Sequence, residues 1–282
     1  ESLEVLKLNM NHFKDTPLIT PSLGNLRTLW LRACEIKELD DDIDHLQRLK
    51  ELDLEDNRLT GLPRTFNRLR RLEVLNLAKN RLYVLPEKIG TLTALEKLDL
   101  AMNRLEYLPD SVTGLRMLKD LSVAVNNLYK LPVLSPGLSS LTSLNLDANE
   151  LNLLPARLGE LPLRTLRASH NRLERLEADT FIGKASKTLK VLGVASNNLL
   201  ELPSCLPTCE ALTTVHVEYN PMRNPPAELL SEGMTILLQY CRLRDVRIEK
   251  FKTLLSEFQF DFDAAPLAPE AYGVLTGRTG FL

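Results

Sequence analysis

The chain has 282 residues, 35 Lys and Arg against 37 Asp and Glu, and 44% hydrophobic residues, with aromatics only 5% of the total. That balance argues against a dedicated nucleic-acid binder and against a disordered chain, and no apolar run approaches the roughly 20 residues that span a bilayer. Four cysteines, at positions 34, 205, 209 and 241, are too few and too unevenly placed for a disulfide framework, and no Asn-x-Ser/Thr acceptor occurs, so a soluble protein of a reducing, cytoplasmic compartment is expected.

From the first residues onward the chain repeats itself. Asparagines recur at Asn11, Asn57, Asn80, Asn103, Asn126, Asn149, Asn171, Asn197 and Asn220, with Cys34 in the slot between the first two. The steps are 23 residues six times running, then 22, 26 and 23. Around each slot the spelling is L-x-x-L-x-L-x-x-N-x-L, as in Leu49, Leu52, Leu54, Asn57 and Leu59. Six positions after most slots stands a proline, such as Pro63, Pro86 or Pro109, followed by apolar residues at fixed offsets such as Phe66 and Leu69. One unit therefore predicts a short strand, a turn, and a compact return segment, with the leucines pointing into one continuous core. The slot asparagine is expected to satisfy backbone groups that the turn would otherwise leave unpaired inside the stack.

This pattern resembles the leucine-rich repeat family over residues 3 to about 226, and its 23-residue unit is similar to the intracellular Ras-group class, which includes Ras-pathway scaffolds, scribble and erbin types, plant relatives and Roco proteins. The resemblance implies an α/β solenoid, a curved horseshoe with a parallel sheet on its concave face and a helical cap at its C-terminal end. It also implies a non-catalytic interaction scaffold, with protein partners such as a small GTPase or a phosphatase subunit.

The expected organisation is a solenoid of about ten repeats over 1–226, a capping helix region over 227–258 and an extended apolar tail over 259–282. Glu1 falls directly inside a repeat, which leads to the expectation of further chain upstream. Between Asn171 and Asn197 three extra residues enter, around the segment 177–184, and predict an outward bulge. The run after Asn220 leads into apolar residues at helical spacing, among them Leu230, Met234, Leu237 and Cys241, that would cover the last repeat. In the tail, Phe258, Phe260, Phe262, Tyr272 and Phe281 are candidate contacts, either with the solenoid or with a large assembly.

Function in such a stack falls to strand side chains that point away from the core, counted six, four and two residues before each slot. Trp30 and Arg32 then face outward beside Glu51, Asp53 and Glu55. Farther along come Asp99 and Asp120, flanking a floor of Ala78, Ala101 and Ala124, and then Arg167, His216 and Glu218. Trp and Arg are enriched at binding hot spots, and the acidic rungs suit a folded protein surface carrying basic groups more than a nucleic acid. No cofactor, metal or small-molecule substrate is expected. The four histidines are scattered over different repeats, Cys205 and Cys209 have no second pair, and Gly183-Lys184 lacks the rest of a phosphate loop. The alternatives to a scaffold are a targeting segment of a larger enzyme, such as a kinase, a phosphatase or a ubiquitin ligase, and a structural subunit of a cytoskeletal or axonemal assembly.

Overall fold

The structure is a computed structural model that describes residues 3–13, 19–225, 237–241 and 243. The chain divides into two units, Glu1–Cys241 and Arg242–Leu282. The second lies outside the described residues apart from Leu243.

The repeat arithmetic becomes one parallel sheet of ten strands in sequence order: β1 (Val5–Lys7), β2 (Thr28–Trp30), β3 (Glu51–Asp53), β4 (Val74–Asn76), β5 (Lys97–Asp99), β6 (Asp120–Ser122), β7 (Ser143–Asn145), β8 (Thr165–Arg167), β9 (Val191–Gly193) and β10 (Thr214–His216). Each strand is three residues long. Alternation sends the central residue inward, so that Leu29, Leu52, Leu75 and Leu98 are buried while both flanking positions stay on the outer face of the sheet. Return segments are mostly single 3-10 turns, among them Arg64–Arg68, Ile89–Thr91 and Asp110–Gly114. Two of these three are entered through a proline, Pro63 and Pro109, whose fixed φ suits the extended residue before the turn.

Turns on the return side come close enough to exclude a side chain. A Cβ on Gly90 would sit 1.8 Å from the Ser111 carbonyl oxygen, and one on Gly114 would sit 2.7 Å from the Gly90 oxygen. Glycine at these two positions is a packing requirement between repeats.

The slot asparagines bind each repeat to the one before it. Asn103 donates through Nδ2 to the Leu77 carbonyl of the previous repeat (2.9 Å) and to Leu100 of its own (3.0 Å), while its Oδ1 accepts from the Leu82 amide (2.9 Å). Asn57, Asn80, Asn126, Asn149, Asn171, Asn197 and Asn220 repeat the arrangement. Cys34 fills the slot differently. Its thiol donates to the Leu8 carbonyl (3.1 Å) but has no amide oxygen to offer, and the Phe13 N–H is taken by the Cys34 backbone carbonyl at 3.3 Å.

Just before each slot the backbone turns through a positive φ, at Met10, Ala33, Asp56, Lys79, Met102, Val125, Ala148, His170, Ser196 and Tyr219. None of these is glycine, and Val125, at φ 56°, is β-branched, the type for which this region is most costly.

The extra residues after Asn171 do not simply loop outward. They fold into a 3-10 turn, Ala178–Thr180, and one helical turn, α1 (Ala185–Thr188), and Phe181 between them is fully buried, while Ile182 projects. At the far end, residues 237–241 are helical, and Leu237 and Cys241 join the same core, with the Tyr240 hydroxyl 3.3 Å from Asn224 Oδ1. Leu230 and Met234 lie outside the described residues.

Two substitutions test these constraints. Asn103→Ala strands the buried Leu82 amide and takes one donor from each of the Leu77 and Leu100 carbonyls, which Asn80 and Asn126 still serve, and is expected to cost about 2 kcal/mol, read as a lower urea midpoint with unchanged slope. Val125→Asn relieves the left-handed residue and is expected to raise stability by about 1 kcal/mol in the same titration.

Candidate protein-binding face

The register of the sheet arranges its outward side chains in straight columns. One runs Lys7, Trp30, Asp53, Asn76, Asp99, Ser122, Asn145, Arg167, Gly193 and His216, each aligned with the next. A second, at the other end of each strand, runs from Val5 through Thr28, Glu51, Val74, Lys97 and Asp120 to Thr214.

Over the first four rungs the side chains form a connected cluster. The Trp30 indole N–H donates to Glu51 Oε1 at 2.9 Å, and the Lys7 ammonium sits 3.7 Å above the centre of the indole ring. Trp30 is therefore half-buried and pinned between its neighbours, with both a cation over its face and a carboxylate at its edge. Arg32 Nη2 lies 3.3 Å from Glu55 Oε1, and Lys79 Nζ lies 2.7 Å from the same oxygen. The Glu55 carboxyl is held below its ordinary range chiefly by the hydrogen bond from Lys79, helped by Arg32 and Asn76. Asp53 goes the other way. Loss of solvent raises its pKa, and the nearby charges of Glu55 and Glu51 add to the rise, against a hydrogen bond from the Glu55 N–H (2.9 Å) and the attraction of Arg32.

That hydrogen bond recurs. Asn76 accepts from the Ala78 amide, Asp99 from Ala101 and Asn145 from Asp147, each through Oδ1. The Asp and Asn residues of the column thus cap the exit of their own strands with one oxygen, and each carboxylate keeps a second oxygen outside that bond. Beyond them Ala78 and Ala124 are almost buried, which leaves a low floor beside Asp99 and Asp120. Arg167 and His216 stand apart from this cluster, separated from each other by the bare Gly193 rung, and His216 Nδ1 lies 3.8 Å from Glu218. Phe258, Phe260, Phe262, Tyr272 and Phe281 lie outside the described residues.

Counting only backward from the slot misses a second surface. Counting forward by one, three and four positions reaches the turn that leaves the sheet, and in the middle repeats those positions hold Arg81, Tyr83, Arg104, Tyr107, Tyr129 and Lys130. Tyr83 and Tyr129 are about half exposed, and with Arg104, Glu106, Asn127 and Glu150 they line a shallow open groove on the edge. The signal lies in the tyrosines: three of the six in the chain fall three or four positions after a slot.

Among the described residues no group of His, Cys, Asp and Glu is placed to hold a metal ion, and no helix is long and apolar enough to cross a membrane.

Residues 1–102 match a family model described as a leucine-rich repeat region. The chain is similar to a leucine-rich repeat protein of Leptospira interrogans, with 26% identity over 84% of this chain and 64% of that one, at a TM-score of 0.68. It is also similar to the ectodomain of the plant membrane receptor kinase GASSHO1/SCHENGEN3 from Arabidopsis thaliana, solved in complex with CASPARIAN STRIP INTEGRITY FACTOR 2, with 26% identity, 72% and 28% coverage and a TM-score of 0.62. A likeness to the functional domain of InlJ from Listeria monocytogenes, at 23% identity, 77% and 44% coverage and a TM-score of 0.64, concerns the fold alone. The chain spans less than two thirds of each of these proteins. The fold is a leucine-rich repeat solenoid, an architecture that generally serves protein-protein interaction. It occurs in receptor ectodomains as well, so it does not assign a compartment.

Asp53 supplies a pH test. Its folded pKa lies above the ordinary 3.8, so the charged carboxylate is a burden at neutral pH that disappears as pH falls through the folded value. Asp53→Asn keeps the acceptor for the Glu55 amide and removes the charge. The variant is expected to be more stable than wild type at pH 7, by less than about 1 kcal/mol after solvent screening, and the difference should vanish below about pH 4 in thermal melts.

Proposed function

We infer that the chain is a non-catalytic scaffold segment that receives a folded protein partner on the outward face of its sheet, over Trp30, Arg32, Glu51, Asp53 and Glu55 and on toward Asp99 and Asp120. The observation that carries this reading is the cluster of the first four rungs. A half-buried aromatic lies among closely spaced carboxylates, and Asp53 holds a charge it would more cheaply share with a cation. A partner guanidinium or ammonium placed beside Asp53 and Glu51 would offset that repulsion, and such complementarity governs partner choice and association rate more than raw affinity.

The partner is therefore a protein with a basic patch, of the kind a signalling assembly offers; a small GTPase or a phosphatase subunit fits the repeat class that the sequence resembles. Arg167, His216 and Glu218 form a separate contact toward the last rungs. An intracellular setting is supported by four cysteines without a disulfide among them, three of which, Cys34, Cys209 and Cys241, are buried in the hydrophobic core.

The test is a quantitative pull-down from source-cell lysate with wild type and a triple variant, Trp30→Ala, Asp53→Lys and Arg167→Glu. The expected outcome is a small set of proteins retained by wild type, lost with the variant and weakened by raised salt. Identical retention by both baits would remove the sheet face from consideration.

A further inference from the structure

At the first rungs of the sheet an aromatic ring already carries a cation from its own chain. Trp30, the only tryptophan, stands in register between Lys7 on β1 and Asp53 on β3. Its indole N–H donates to Glu51 Oε1 at 2.9 Å, and the Lys7 ammonium lies 3.7 Å from the centre of its ring. The hydrogen bond ties the ring edge to β3, so the indole is oriented before anything docks. The cation contact is of a different kind. Lys7 is exposed, its ammonium sits at the end of a flexible four-carbon stem, and cation–π attraction is weak where solvent reaches it.

The carboxylates around the ring are unequally served. Glu55 takes both neighbouring cations on one oxygen, Arg32 Nη2 at 3.3 Å and Lys79 Nζ at 2.7 Å, and Asn76 donates to the other at 3.3 Å. Glu51 and Asp53 form no ion pair among the described residues; the hydrogen bonds they accept come from neutral groups, the Trp30 indole and the Glu55 amide. Burial lifts the Asp53 pKa, and the charges of Glu55 and Glu51 add to the rise, against the Glu55 amide and Arg32. Lys7 thus serves the ring without pairing with either carboxylate, as a point charge held over one face. A guanidinium differs in shape. It is planar, lies flat on an aromatic face, and directs its N–H groups outward in a fork that matches carboxylate oxygens, so it can serve the ring and the carboxylates at once.

Taking the sheet face as the partner-binding surface, we propose that Trp30, Glu51 and Asp53 form a subsite for one arginine side chain of the partner protein, and that Lys7 is an internal plug which this arginine displaces. The guanidinium stacks on the indole in place of Lys7 and donates to Glu51 Oε2 and Asp53 Oδ2, the oxygens outside the bonds to Trp30 and the Glu55 amide. Arg32 and Lys79 stay on Glu55, so the incoming charge meets two carboxylates while one cation leaves for solvent. A partner lysine would gain little beyond what Lys7 already supplies, and the subsite therefore selects arginine over lysine.

With a single tryptophan in the chain, intrinsic indole fluorescence reports this subsite and no other. The experiment is a fluorescence titration of the full chain with capped glycine pentapeptides carrying arginine, lysine or glutamine at the centre, on wild type and on Lys7→Met, Glu51→Gln and Asp53→Asn. Both carboxylate substitutions keep a hydrogen-bond acceptor, and urea midpoints no lower than wild type confirm that the variants fold. The arginine peptide is expected to give a saturable change, the lysine peptide to bind about fivefold more weakly or less, and the glutamine peptide to give none. Lys7→Met is expected to tighten arginine binding by about threefold, and each carboxylate variant to weaken it by about threefold or more. Equal binding of the arginine and lysine peptides, an arginine affinity that Lys7→Met leaves unchanged or lowers, or no saturable response at all would overturn the proposal. So would concentration-dependent self-association in light scattering that Trp30→Ala abolishes, since the occupant would then be a second copy. The pull-down with the triple variant separates the subsite from the broader face: proteins lost with that variant, alongside an absent arginine response, remove the subsite and keep the face. Identical retention by both baits removes the face and the partner arginine with it.

Discussion

Everything in this solenoid depends on how the backbone is satisfied where each strand turns out of the sheet. The strands are three residues long, so each repeat must reverse direction within a few positions, and that leaves amides and carbonyls buried between neighbouring repeats. One side chain that both donates and accepts can serve both sides of the joint. Asparagine does so, with Nδ2 reaching back to the carbonyls and Oδ1 receiving an amide. The bond is directional, so it fixes the rotation between repeats and with it the straight columns of the outer face. Cys34 shows the requirement by departing from it: the thiol keeps the donor half of the arrangement and the backbone must supply the rest.

Legibility in the sequence follows from the same cause. Where one residue type answers one geometric need at every repeat, spacing alone reveals it, and the leucines, asparagines and prolines make the solenoid readable along its length. The inward and outward alternation of a strand is equally strict, so the column positions of Trp30, Asp53 and Asp99 follow from counting residues back from the slot. Counting does not reach the lateral pairing. That Trp30 is pinned by Lys7 and Glu51, or that Asp53 bonds the Glu55 amide, depends on side-chain torsions that no periodicity encodes. The segment after Asn171 misleads for a different reason. Three extra residues suggest an outward loop, yet Phe181 is large enough to fill the core when it turns inward, and burial decides the local structure.

The outer face also shows how structural and recognition roles share the same residues. Asp or Asn at the last strand position caps the following amide, and any of several residues could stand there without changing the core. Choosing Asp over Asn at positions 53 and 99 adds a charge that the cap does not need. For Asp53 the charge is unfavourable where it stands, pushed upward by burial and by Glu55 and Glu51. A group kept charged at a cost to stability is a reasonable place to look for the partner that relieves it.

A stacked architecture makes it possible for two such surfaces to coexist. Each repeat contributes strand residues to the sheet face and turn residues to the edge, and these are separate positions in the repeat with separate solvent exposure. Substitution at one leaves the joint between repeats untouched, because the asparagine and leucines that hold the stack lie between them. Carboxylates such as Asp53 and Asp99 can therefore stand on the sheet, and tyrosines such as Tyr83 and Tyr129 at the turn, without either set weakening the core. Charge of either sign is accommodated on both: the sheet carries Arg32 beside Glu55, and the turn carries Arg104 near Glu106 and Glu150, because neither surface takes part in the joints that hold the stack together.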